Sequence, residues 1–272
     1  MVNKPKISLI APSIRPHLWE QFCASLANNN VEWEVVFVGP LPSVCPLPSN
    51  FRWIKATVKP SQCTHIAFIE AKGEYVSLTA DDAQYFTPNH KGALDNMIEF
   101  IEKFPNAPIH QPTQKLIYNK SRIAYGFRMF EDSFCIESSQ THYLVPQDKN
   151  PLTTSPLLYP FFVINKESYV DLGGYDNRFI CGQAENDFLL RVAHSYGSTS
   201  SSLCPTAMVW ADHDKGHNNK SKFREYHEQE SNILRKLWLK NGNYENKRSI
   251  NLLPYIWDES IYTATQGNKG EW

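Results

Sequence analysis

Short apolar runs and amphipathic stretches alternate through the first hundred residues. Ile7-Ser-Leu-Ile-Ala-Pro12 is an apolar run closed by proline, which predicts a buried strand. Ser13 is placed to cap a following helix, with Pro16 in its first turn and Leu18, Phe22 and Leu26 on one face to about Asn28. Trp33 to Val38 predicts a second buried strand, stopped by Gly39-Pro40, and Phe51 to Lys55 a short third one. A helix capped by Ser61 runs to about Ala71, and Tyr75 to Thr79 forms a fourth strand. Thr87-Pro88 opens another helix that ends near Phe104. Strands and helices with short connections predict a parallel sheet with right-handed crossovers. Ligands of such sheets sit beyond the carboxyl ends of the strands, where Asp81 and Asp82 fall.

Beyond Pro105 the regularity fades. Strand-like pieces at Arg122–Phe127, Phe134–Glu137 and Tyr143–Val145 are separated by polar loops, so residues 105–160 read as an insertion or a second, antiparallel layer. Order returns with a strand at Phe161–Ile164, a short helix, the Gly173-Gly174 turn and a helix from Ala184 to Tyr196. Phe223 to Leu239 predicts a charged C-terminal helix. The resulting expectation is an α/β fold: one domain over residues 1–240, then an irregular extension at 241–272.

Composition narrows the class. The 27 Lys and Arg nearly balance 28 Asp and Glu, which disfavours nucleic-acid binding. A hydrophobic share of 42% is enough for a sizeable core. Cys23, Cys45, Cys63, Cys135, Cys181 and Cys204 form no CxxC pair and read as reduced thiols of a cytoplasmic protein. No leader-like apolar core and no run of about 18 apolar residues is present. A cytoplasmic protein is expected, with peripheral membrane association left open.

Two stretches carry candidate chemistry. Asp81 and Asp82 are adjacent carboxylates at a strand end, and they stay ionised together only beside a cation or other donors. A divalent ion with oxygen ligands fills that role and also binds nucleotide phosphates, making Asp81 and Asp82 candidate metal ligands. An exposed turn would hold the same residues for no chemical reason. Downstream, Gly173-Gly-Tyr-Asp176 permits close backbone approach, and Glu185 and Asp187 fall in the first turn of a helix. A carboxylate fixed there can take the proton of an acceptor hydroxyl. Asp187 and Arg191 are also spaced i,i+4, as a plain ion pair would be.

Taken together and in order, Ile7 to Arg15, Ala71-Lys-Gly-Glu-Tyr-Val76, Thr79-Ala-Asp-Asp82, Gly173-Gly-Tyr-Asp176, Glu185-Asn-Asp187 and Arg191 resemble the inverting family 2 glycosyltransferases of the GT-A fold. The resemblance spans roughly Lys6 to Tyr196 apart from the middle region. It implies a nucleotide-sugar-binding domain, a Mn2+ or Mg2+ ion, a UDP- or GDP-sugar donor, a saccharide or glycoconjugate acceptor, and displacement with inversion. By position it assigns Pro12, Ser13 and Arg15 to the nucleotide loop, and Asp81 and Asp82 to ribose, diphosphate and metal. Glu185 then stands at the catalytic base, supported by Asp187 and Arg191, with Gly173 and Gly174 at the donor. Gly39 and His65 occupy donor-contacting places where the family usually has Asp and, in an Arg-Asn pair, Asn. Thr79 stands at the usual first acid of the metal motif.

Trp210-Ala-Asp-His-Asp-Lys-Gly-His217 is dense in metal-type ligands. Related enzymes place a metal-binding His after the last strand, which selects His213, with His217 second. Lys215, with Lys220 and Lys222, is suited to a lid over the diphosphate. Two competing classes remain: a sugar nucleotidyltransferase, whose Gly-rich basic loop is lacking at Ser13-Ile-Arg-Pro16, and a carbohydrate-binding protein without catalysis.

Overall fold

The computed structural model describes residues 4–87, 91–118, 121–130, 133–139, 157–158, 161–176, 178–196, 201–212, 226, 228–234, 239–240 and 243–244. The amino-terminal part runs β1 (Ile7–Pro12), α1 (Trp19–Ser25), β2 (Trp33–Gly39), β3 (Phe51–Lys55), α2 (Pro60–Glu70), β4 (Tyr75–Leu78), β5 (Ala83–Phe86) and α3 (Ala93–Lys103). It continues with β6 (Ile109–Tyr118), β7 (Ser121–Phe130), β8 (Ser133–Ser139), β9 (Leu157–Leu158), β10 (Val163–Asn165), α4 (Lys166–Asp171), α5 (Ala184–Tyr196) and β11 (Ser201–Asp212). Residues 228–234 add a further helical segment.

The central sheet has the order β3-β2-β1-β4-β10-β6-β11-β5. Its first four strands are parallel, as is the β6–β11 pair, whereas β10 and β5 run antiparallel to their neighbours. This is a mostly parallel sheet flanked by helices. Side chains alternate across it with the period of two that a strand imposes. Ile7, Leu9 and Ala11 of β1 and Val35 and Phe37 of β2 pack with α1 and α3. Ile10, Val36 and Val38 point the other way, into a second core built with α2, α4 and α5. Largely apolar runs encode β1 and β2 because both faces of those strands are covered, and the two polar exceptions, Ser8 and Glu34, bond to each other at 2.6 Å.

Several expectations are corrected. Ser13 caps no helix: a 3-10 turn at Pro16–Leu18 precedes α1, and Ser13 is engaged elsewhere. The cap of α2 is Lys59, not Ser61. Residues 83–86 form a strand, and α3 starts at Ala93 rather than beside Thr87. Most consequentially, β6 lies inside the central sheet between β10 and β11, so residues 109–118 are not part of an insertion. Their pairing with β11 is between segments some ninety residues apart, a distance over which local pattern carries no signal. The strand-like piece expected at Tyr143–Val145 lies outside the described residues. Among those described, no helix is long and apolar enough to cross a membrane.

One contact ties sheet to site. At the end of β2 a Cβ on Gly39 would stand 1.8 Å from the Ser13 carbonyl oxygen. Glycine is required there because the loop after β1 lies directly on the strand. Gly39→Ala should lower the urea midpoint by an amount equivalent to about 1–3 kcal/mol, as an overpacked contact does. An unchanged midpoint would mean that the loop does not rest on Gly39.

Candidate active site

The carboxyl ends of β1, β2 and β4 converge on the acidic pair. The Ser13 amide donates to the Val38 carbonyl at 2.8 Å, and the Thr79 amide to the Ile10 carbonyl at 2.9 Å. The first bond holds the loop after β1 on β2, and the second holds the end of β4 on β1. Asp81 and Asp82 are 1% and 5% exposed, which removes the exposed-turn explanation.

Asp81 is saturated with donors. Its Oδ2 accepts from Ser13 Oγ at 2.7 Å, Ile14 N at 3.0 Å and Arg15 N at 2.9 Å. Its Oδ1 accepts from Arg15 Nε at 2.7 Å and from Arg15 Nη2. Arg15 Nη1 donates to Asp82 Oδ2 at 2.7 Å, so one guanidinium bridges both acids. Trp19 Nε1 donates to Ser13 Oγ at 2.7 Å and fixes that hydroxyl. The two carboxylates raise the proton affinity of Arg15 despite its burial. Planar, always charged and able to span two carboxylates, Arg does here what Lys would not. Pro12, at the end of β1, leads directly into this loop.

A divalent ion fits this arrangement unevenly. Both oxygens of Asp81 accept from N–H and O–H donors of residues 13–15, so Asp81 buttresses that loop. Among the described residues no group of three or more His, Cys, Asp or Glu side chains converges on one point. The fit is better at Asp82. β11 pairs with β5 so that Ala211 faces Ala83, which brings the chain to the level of Asp82 just before residue 213. His213 and Lys215 themselves lie outside the described residues.

The second stretch separates into two roles. Asp187 and Arg191 are both 0% exposed. Arg191 Nε donates to Asp187 Oδ2 at 3.0 Å, Nη1 to the Leu172 carbonyl at 2.5 Å, and Nη2 to the Gly174 carbonyl. The i,i+4 pair is therefore structural: it carries the Gly173-Gly174 turn, whose φ angles of 79° and 62° need glycine. Neither side chain reaches the protein surface. Glu185, one helical face away, is only partly buried. Burial first, and the charge of Glu230 second, push its carboxyl up to about 7.

His65 also lies inside the protein, 3% exposed, with Nδ1 3.1 Å from the Tyr169 hydroxyl. Tyr169 in turn accepts from the Tyr175 amide at 3.1 Å and packs on Phe68. Burial pushes His65 down to about 3, so the ring is neutral and braces the same turn instead of contacting a donor. Gly39 likewise acts through packing, beneath Ser13.

Sequence reasoning passed over Glu230. Its neighbours Tyr226 to Gln229 look like a solvated charged stretch, and only folding shows that Glu230 is 3% exposed. Trp19 falls within the helical pattern, which carries no signal of its bond to Ser13.

A family model for glycosyltransferase-like family 2 matches residues 53–236. The chain belongs to this family. No curated protein sequence matches it significantly. Among solved structures, Staphylococcus aureus TarS 1-349 in complex with UDP is similar at 16% identity, with a TM-score of 0.52 over 76% of this chain and 60% of that one. The same protein in complex with UDP-GlcNAc gives 17% identity and a TM-score of 0.51, over 79% of this chain and 61% of that one. The chain thus spans about three fifths of the length of those structures. At this identity the likeness is one of fold, and the fold of this family 2 domain is GT-A-like.

The buried ion pair gives a direct test of the positioning role. Arg191→Met removes the guanidinium shared by Asp187 and the Leu172 and Gly174 carbonyls in the core, which should cost about 3–5 kcal/mol in chemical denaturation. The double change Asp187→Leu with Arg191→Met should recover much of that loss. A cost below 1 kcal/mol for the single change would show that the pair does not carry the turn.

Proposed function

We propose that this domain transfers a sugar from a UDP- or GDP-linked donor to a hydroxyl of a saccharide or glycoconjugate acceptor, with inversion. The observation that carries the reading is the Glu185 carboxyl, held near 7 at the head of α5 while its neighbour Asp187 is locked in the core. A carboxylate poised near neutrality is suited to general-base work. In the proposed step Glu185 takes the proton of the acceptor hydroxyl. The acceptor oxygen bonds to the anomeric carbon, the carbon–oxygen bond to the diphosphate breaks, and nucleoside diphosphate leaves with the bonding electrons.

The first block supplies the donor end of this proposal. Pro12, Ser13 and Arg15 frame the nucleotide, and Asp81 holds the loop that carries Arg15. Leaving-group charge needs a fixed cation, and preorganised charge in a water-poor site is worth more than in bulk water. Mn2+ or Mg2+, where bound, would neutralise that diphosphate from Asp82 and His213. Gly173 and Gly174 form the floor beneath the sugar, shaped by Arg191, Asp187 and His65 from inside. Lys215 belongs to the proposed lid. The UDP and UDP-GlcNAc held by TarS make uridine donors the first to try.

Calorimetry against a panel of UDP- and GDP-sugars, with and without Mn2+, should give saturable binding to at least one donor. Binding of none, in either condition, would end the transferase reading. Glu185→Gln should abolish turnover while leaving the donor Kd within about twofold. In the wild type, the rate should fall as pH drops through about 7, because protonation removes the base. Normal turnover by Glu185→Gln would remove Glu185 from this role.

A further inference from the structure

Cys181, Gly182 and Gln183 immediately precede α5. Four backbone N–H groups at this point are satisfied from elsewhere in the chain. Glu230 Oε1 accepts from Ile180 N at 2.6 Å and Cys181 N at 2.7 Å, and Oε2 from Gly182 N at 2.9 Å and Gln183 N at 3.0 Å. One carboxylate thus fills a ring of amides at the positive end of a thirteen-residue helix.

The clasp is reinforced on every side. Gln183 Nε2 donates to Ser231 Oγ at 3.2 Å, and Asn186 Nδ2 donates to Gln183 Oε1 at 2.6 Å. The Ser61 amide donates to the Ile180 carbonyl at 3.1 Å, tying the loop to α2. Leu234, one turn beyond Glu230, is buried in the same core as Phe188 and Leu189.

We propose that Glu230 is a positioning residue for Glu185: by filling the 180–183 amide ring it sets the first turn of α5 and takes up the positive end of the helix that Glu185 would otherwise enjoy. The proposal rests on the reading of Glu185 as the base. A lone carboxylate in the first turn of a helix is normally made more acidic by the dipole. With Glu230 seated in the amide ring, that stabilisation is spent, and Glu185 is left with burial and a like charge. Among the described residues, the ionisable groups around this end are Glu230 from residues 228–234, Lys59 at the head of α2, Cys181 in the loop, the Asp176–Arg178 pair and the buried Asp187–Arg191 pair. Lys59 Nζ lies 4.9 Å from the Tyr226 ring centroid, held by the same carboxy-terminal segment. The Cys181 thiol feels the same charges: burial first and Glu230 second push it up to about 12, against Lys59.

Two readouts test this in the full chain. The first is titration of the Glu185 carboxyl by 13C NMR, which needs no substrate. The second is UDP release from UDP-GlcNAc with water as acceptor, measured across pH. Glu230→Gln should move both the Glu185 titration and the acid limb of the rate downward by about one pH unit, because a neutral amide leaves no like charge. If both stay at the wild-type pH in a variant that melts cooperatively, the proposal is wrong. Glu230→Asp keeps the charge but shortens the reach, so kcat should fall on the order of tenfold with the donor KM little changed. Wild-type kcat in Glu230→Asp would also overturn it, and this variant serves if Glu230→Gln does not fold. Loss of the base reading alone is recognised separately: Glu185→Gln would then turn over normally, while the NMR titration still reports whether Glu230 governs Glu185.

Discussion

Two adjacent carboxylates buried at the edge of a sheet set the terms for the rest of this site. An ionised carboxyl removed from water costs several kcal/mol unless donors replace the lost hydration. Asp81 and Asp82 are met by one guanidinium, two backbone amides and a hydroxyl, all from residues 13–15. The loop after β1 is therefore folded around the loop after β4. β1 and β4 must be neighbours for this to happen, and they are paired in parallel through Ile10 and Leu78. Gly39 has no side chain because the loop needs its space, and Trp19 is oriented to hold Ser13. The guanidinium of Arg15 is thereby fixed between the two carboxylates at the carboxyl ends of β1 and β4.

The other half of the site follows from a second anionic economy. Helix α5 carries Glu185 and Asp187 in its first turn, and two residues along a helix turn about 200°. One of the two must face inward. Asp187 does so, matched by Arg191 and by the carbonyls of Leu172 and Gly174, and the glycine turn is thereby fixed. Glu185 faces the other way, and Glu230 occupies the amides at the helix head. Three acids within reach of one helix end have three separate fates: paired, poised and nested. Their surroundings differ: a buried guanidinium for Asp187, partial burial for Glu185, and four backbone amides for Glu230.

The strand boundaries of β1 and β3 and the whole of α5 agree with the local pattern residue by residue. β1 is buried and largely apolar, β3 is a short half-buried edge strand between turn residues, and α5 has a clear acidic start, so short-range pattern is enough there. β5 and the placement of β6 in the central sheet were not legible. Their partners, β11 and β10, are far away in sequence, and strand pairing over such distances leaves no periodic trace.

The same division runs through the site. By itself, the sequence determined the two chemical blocks, their order, and the family to which they belong, because acids at strand ends and helix starts are local facts. Only the tertiary structure decided which of those acids meet water. It assigned Asp81 to Arg15, Asp187 to Arg191 and Glu230 to the amides of residues 180–183, and it drew His65 into the core beside Tyr169. Each of these outcomes depends on burial and on partners brought together by packing. A carboxylate carries the same letter in the sequence whether it is solvated, paired or nested, and its surroundings alone settle its charge and its use.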